Sequence, residues 1–186
     1  MSKLAKRIWN TVTTILLIAV ILVAGVIAGP RLAGLQPYAV LSGSMEPTYH
    51  VGSLIYVKAV DPTEVSVGDP ITYHAGDYIV THRVVRVDTE GQCFYTKGDA
   101  NETEDGGAVA YESLIGKPMA TIPYLGYIAN AVSSLRGMIL AVTGVVVLLV
   151  LMFIPDILTK AEEKDKAKAQ AAGNVKNADI TEKKED

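Results

Sequence analysis

Residues 78–88 read YIVTHRVVRVD, eleven positions rich in β-branched side chains and free of glycine and proline. Such a run reads as one long β-strand, in which successive side chains point to opposite faces. Ile79, Thr81, Arg83, Val85 and Val87 then share one face, and Tyr78, Val80, His82, Val84 and Arg86 share the other. His82 thus lies on a largely apolar face beside Val80 and Val84. On both sides of this stretch the pattern repeats in shorter form. SLIYVKAV (53–60), PITYH (70–74), CFYTK (93–97) and SLIGKPMATI (113–122) are rich in Val, Ile, Tyr and Thr. Turn-forming clusters such as DPTEVSVGD, AGD, TEGQ and GDANETEDGG separate them. Strands at this spacing predict a compact β-sandwich or barrel-like domain. Pro70 opens one of them, and its missing N–H suggests a sheet edge for that strand.

Apolar residues make up 49% of the 186-residue chain, high for a soluble protein, and two runs hold the excess. No charge occurs from Ile8 to Pro30, nor from Gly137 to Pro155. About 20 apolar residues cross the hydrocarbon core of a bilayer, so the first run meets the length and the second approaches it. The basic start at Lys3, Lys6 and Arg7 also suits a cleaved signal peptide, but the run is too long for a typical h-region. A buried core helix is the alternative for the second run. Lys3, Lys6 and Arg7 precede the first run, and Lys160, Lys164, Lys166 and Lys168 follow the second. The positive-inside rule therefore puts both ends in the cytoplasm. The expected organisation is a cytoplasmic stub and transmembrane helix over 1–30, an exported β-rich domain over 31–136 and a second transmembrane helix over 137–155. A polar, mostly unstructured cytoplasmic tail over 156–186 completes it, with a short helix at AEEKDKAKAQAA as an option. The expected location is the cell membrane, multi-pass, with the β domain on the extracytoplasmic side.

The exported segment carries seven Lys and Arg against twelve Asp and Glu, a net of −5. Nucleic acid, which asks for a basic face, is thereby disfavoured as a partner. The single Cys93 cannot form an intramolecular disulfide, and no Cys/His spacing suggests zinc.

Chemistry-bearing residues gather around three places. LSGSMEPT (41–48) sets Ser44 after Gly43, where a bent backbone is sterically allowed, with Pro47 shortly beyond. A serine hydroxyl is a poor nucleophile unless a base within hydrogen-bond reach takes its proton. His50 and His74 fall in turn-like settings where exposure is the simple account. His82 sits mid-strand, where a satisfied core histidine and a functional base are both compatible with the pattern. KGDANETED crowds Asp99, Glu102, Glu104 and Asp105 into one loop, either a solvated turn or the source of an orienting acid. A calcium loop is weakly supported, because its twelve-residue spacing is missing. Ser42, two residues before Ser44, has a hydroxyl able to stabilise an oxyanion beside the Ser44 N–H.

In order along the chain, SGSMEPT, GDPITY, IVTHRVV, YTKGDANETED and IGKPMATIPYLG resemble the successive boxes of type I signal peptidases. The likeness spans about residues 38–130. Histidine in THRVV, where bacterial members use lysine, makes the chain similar to the archaeal and endoplasmic-reticulum branch. The resemblance implies a membrane-bound serine endopeptidase that removes signal peptides from exported preproteins after small residues. It makes Ser44 the nucleophile, His82 the general base and Asp105 the third triad member, with Asp99 a second important acid. It implies no metal or organic cofactor. Its expected partners are signal peptides, the lipid bilayer, and translocation machinery or accessory subunits. The alternative is a membrane-anchored β-domain that binds preproteins or partner subunits without cutting them. A repressor-type self-cleaving protease is disfavoured, since it uses lysine as base and works in the cytosol.

Overall fold

In the computed structural model, which describes residues 3–182, the eleven-residue stretch is the longest strand, and neighbours pair with it on both sides. The chain begins with helix α1 (Lys3–Ala28) and a 3-10 turn (Gly29–Ala33). Seven strands follow: β1 (Leu35–Ala39), β2 (Leu54–Lys58), β3 (Pro70–Ala75), β4 (Tyr78–Asp88), β5 (Cys93–Lys97), β6 (Val109–Ala110) and β7 (Leu114–Ile122). Helix α2 (Leu125–Ser133) and helix α3 (Leu135–Glu182) follow β7. Every strand pairing is antiparallel, in the order β1-β2-β7-β3-β4-β5-β6. The expected β-rich domain flanked by two apolar helices is thus present, built on one seven-stranded sheet.

Three details depart from the pattern reading. The strict alternation along β4 breaks where the β4–β5 register shifts between Val84 and Arg86. A bulge inserts one residue and exchanges the faces beyond it. Val87 accordingly packs in the same cluster as Val84 and Val80, while Arg86 turns out over the Tyr95 ring at 3.3 Å. Secondly, β3 is an interior strand rather than an edge. Pro70 is its first residue and pairs only with Arg83 of β4, whereas β7 meets β3 at Thr72 and Tyr73, so the missing donor falls outside that ladder. Thirdly, β1, β6 and α2 carry too little periodicity to be read from sequence. Pro37 in β1 resembles loop, but β1 is an edge strand, where proline is tolerated.

Residues 22–139 form one compact unit. Its larger core joins Ile71, Tyr73, Val84, Phe94 and Val109, with Val65 from the loop before β3. Phe94 is fully buried, a burial that contributes about 1.5–3 kcal/mol. A second cluster joins Leu54, Tyr56 and Ala129, with Ile27 and Leu125 packed against it. The Tyr56 hydroxyl donates to Val26 O at 2.6 Å.

The first part of α1, to Ile21, and α3 from Leu140 onward form the other unit. Lys3–Ala33 and Leu135–Ala161 are each long and apolar enough to cross a membrane. Pro155 lies inside α3 and has no N–H, which strips Leu151 O of its usual i+4 donor. The Trp9 indole N–H of α1 donates to that oxygen at 2.8 Å. One turn further on, Lys6 pairs with Asp156 at 2.7 Å. α3 continues through the polar residues 156–182, where an unstructured tail is expected from sequence. Ala, Glu and Lys are strong helix formers, and the opposite charges recur three and four apart. Residues 183–186 of that expected tail lie outside the described residues.

Candidate active site

Ser44 stands in the turn between β1 and β2. Met45, 3% exposed, anchors the turn in the interior, and the Glu46 N–H to Gly43 O and Tyr49 N–H to Met45 O bonds close it. Ser44 is therefore half-buried on a held backbone. Its own carbonyl accepts the Ala100 N–H at 2.9 Å, tying it to the acidic loop after β5. Gly98 permits this contact, since a Cβ there would lie 2.6 Å from Ser44 O.

β4 carries His82 inward, and the structure brings three of the singled-out residues into line. His82 Nε2 lies 3.0 Å from Ser44 Oγ, and its Nδ1 lies 2.6 Å from Asp105 Oδ2. A carboxylate only accepts, so Nδ1 donates to Asp105 and Nε2 presents its lone pair to the Ser44 hydroxyl. Such an imidazole can take the serine proton and, once charged, remain stabilised by the acid behind it. Ser42 Oγ is exposed and 3.4 Å from Ser44 Oγ, long beside the usual ~2.7–2.8 Å, so its hydroxyl is free to turn elsewhere.

Asp99 is not brought to His82. Both its oxygens accept from Arg83, Nε at 2.7 Å and Nη2 at 2.6 Å, and Thr48 Oγ1 donates to it at 2.5 Å. Arg83 Nη1 also donates to Gly68 O at 2.8 Å. The Arg83 bonds hold the Asp99 carboxyl below the usual range, against opposing burial and with help from Thr48. The sequence setting of Asp99 suggests a carboxylate capping its own turn; instead it ties the serine turn, through Thr48, to β4. Glu102 and Glu104 are exposed. His50, exposed, is bonded to Glu46, and His74 is exposed at the end of β3.

A groove of about 880 Å³ opens in front of Ser44 and His82, between the chain at Pro37–Ser42 and that at Asp77–His82. Among the described residues β1 pairs with β2 alone, and β5 meets β4 only from Arg83 onward. Both segments therefore turn an unpaired backbone edge toward the groove. Among the described residues no cluster of His, Cys, Asp and Glu suits a metal ion. Pattern reading misses Tyr73, Thr96, Thr48 and Arg83. A strand Thr or Tyr is what β propensity alone supplies, and the partners lie 9–51 residues away.

A serine, an imidazole and a carboxylate in hydrogen-bonded sequence on a β frame form the arrangement of a serine hydrolase. No family model matches the chain. Among curated proteins it is 37% identical over 120 residues to signal peptidase I W of Bacillus subtilis, covering 59% of this chain and 63% of that one. It is 31% identical over 125 residues to the human signal peptidase complex catalytic subunit SEC11C, covering 59% and 65%. It is 33% identical to the corresponding SEC11 subunit of Verticillium alfalfae, covering 59% and 73%. The matches span a little under two thirds of the length of the first two relatives. The chain belongs to the signal peptidase family.

Proposed function

We propose that this protein is a membrane-bound serine endopeptidase that removes signal peptides from exported preproteins, cutting after small residues. The observation that carries the reading is the His82 ring, held between Ser44 Oγ and Asp105 Oδ2 at the head of a groove with two free strand edges. An extended peptide entering that groove can pair its backbone with either edge, by strand addition.

Ser44 Oγ attacks the scissile carbonyl as its proton moves to His82 Nε2, while Asp105 stabilises the imidazolium that forms. The Ser44 N–H and the Ser42 hydroxyl donate to the developing oxyanion. The imidazolium then protonates the leaving amine, and water hydrolyses the acyl-enzyme on Ser44 with His82 again as base. Asp99 holds the serine turn against β4 through Arg83 and Thr48, one step from the chemistry. Two membrane-crossing helices, with residues 31–136 on the extracytoplasmic face, confine the enzyme to the surface that holds its substrate and raise their effective concentration. The SEC11 relatives are named as subunits of a complex, which supports accessory subunits here as well.

The test uses the purified full chain in proteoliposomes with an internally quenched signal-peptide substrate. Turnover is expected. Saturable binding without product would identify the non-catalytic binding domain instead.

A further inference from the structure

We propose that Thr96, with Tyr73 behind it, is a positioning residue that sets the direction of the hydrogen bonds through Asp105 and His82. The inference rests on the serine-protease reading above and deepens it.

Asp105 sits in a loop whose neighbours Glu102, Glu104, Gly106 and Gly107 are all exposed, so packing alone does not fix it. From sequence, the two glycines after it look like the means of aiming the carboxylate. Neither takes a left-handed conformation, and a Cβ at either would meet nothing, so they do not force the turn. Thr96 of β5 holds Asp105 at two points. The Asp105 N–H donates to Thr96 O at 2.9 Å, and Thr96 Oγ1 donates to Asp105 Oδ2 at 2.7 Å.

The donor order then follows from chemistry. The carboxylate only accepts, so the single Thr96 proton points at Asp105. The 3.0 Å contact between Tyr73 and Thr96 must therefore be donated by the Tyr73 hydroxyl. Burial above all, with the nearby Asp105 charge adding to it, raises the Tyr73 phenol and keeps it a donor, although the Thr96 bond works the other way. Tyr73 is itself 3.5 Å from Asp105 Oδ2, a long contact. Thr96 is fully buried and Tyr73 5% exposed, so water does not substitute for either. The result is one directed chain, Tyr73 to Thr96 to Asp105, converging on the oxygen that accepts from His82 Nδ1. With that oxygen fixed as acceptor, His82 must leave Nε2 free for the Ser44 proton.

The test compares Thr96→Val, Thr96→Ser, Tyr73→Phe and Ser44→Ala in the full-length protein, with kcat, KM and melting temperature measured on the quenched substrate. Thr96→Val is expected to lower kcat roughly 10- to 100-fold with KM unchanged, by analogy with losing a hydrogen bond that orients a metal-bound histidine or carboxylate. Thr96→Ser keeps the hydroxyl and recovers most of the rate; Tyr73→Phe loses less than Thr96→Val. Wild-type kcat in Thr96→Val overturns the proposal, as does a Thr96→Ser variant no faster than Thr96→Val. If Thr96→Val fails to fold, Tyr73→Phe decides: a lowered kcat at near wild-type melting temperature supports the chain, and an unchanged kcat overturns it. Cleavage by Ser44→Ala would instead sink the serine-protease reading and this proposal with it. Inactive Ser44→Ala beside fully active Thr96→Val rejects the positioning role alone.

Discussion

Asp99 and Asp105 are six residues apart in one loop, yet their partners give them different work. Asp105→Asn replaces the acceptor facing His82 Nδ1 with an amide that can favour the wrong tautomer. By analogy with serine proteases in general, kcat should fall by about 10⁴. Asp99→Asn breaks the paired Arg83 bonds and leaves the His82 contacts alone. It should cost about 1–3 kcal/mol of stability and much less rate. The pH dependence separates the two further. Because the folded Asp99 carboxyl titrates below its unfolded value, its stabilisation is fully present above an unfolded pKa of about 3.9 and is lost as pH falls through the lower folded value. The melting-temperature gap between wild type and Asp99→Asn should therefore be widest near neutrality and close on acidification below about pH 4. A gap that widens in acid, or a catalytically dead Asp99→Asn beside an active Asp105→Asn, reverses the assignments. At this scale residue type offers Ser44, His82 and the acidic loop as candidates, and the resemblance to type I signal peptidases singles them out. Choosing between two aspartates needs Arg83 and Thr96, whose side chains are brought in by strand pairing and leave no local trace in sequence.

At the scale of elements, the strands rich in β-branched residues are legible, while β1, β6 and α2 are not. β6 has two residues and α2 nine, both too short for periodicity, and the β4 bulge is invisible because alternation continues in letters while the backbone shifts. The apolar helices are legible as lengths, but their contact is not. Pro155 reads as the end of the second helix, whereas inside α3 it leaves the Leu151 carbonyl for the Trp9 indole to fill. Pro155→Ala returns an N–H to Leu151 O and makes the indole donor redundant. Trp9→Phe should then destabilise the chain by about 0.5–1 kcal/mol in the wild-type background and by much less alongside Pro155→Ala. A double-mutant cycle from unfolding in mixed micelles measures this. Equal costs in both backgrounds would show that Trp9 contributes packing only.

Across the whole molecule, the charge pattern and the two apolar runs set the expected arrangement, with both ends in the cytoplasm and residues 31–136 outside. External protease on sealed cells should digest the β domain and spare tags at both termini. Cleavage of the C-terminal tag with the N-terminal one protected would mean that residues 137–155 do not cross. On the proposed function, the sheet, the groove and the line from Ser44 through His82 to Asp105 serve one reaction, the cleavage of signal peptides. The most direct test of that claim is product formation by Ser44→Ala beside wild type, in matched proteoliposomes with matched melting temperatures. The hydroxyl is half-buried and contributes little to folding, so the variant should fold and insert normally while signal-peptide cleavage drops to background. Product at the wild-type rate from a folded Ser44→Ala would contradict the account.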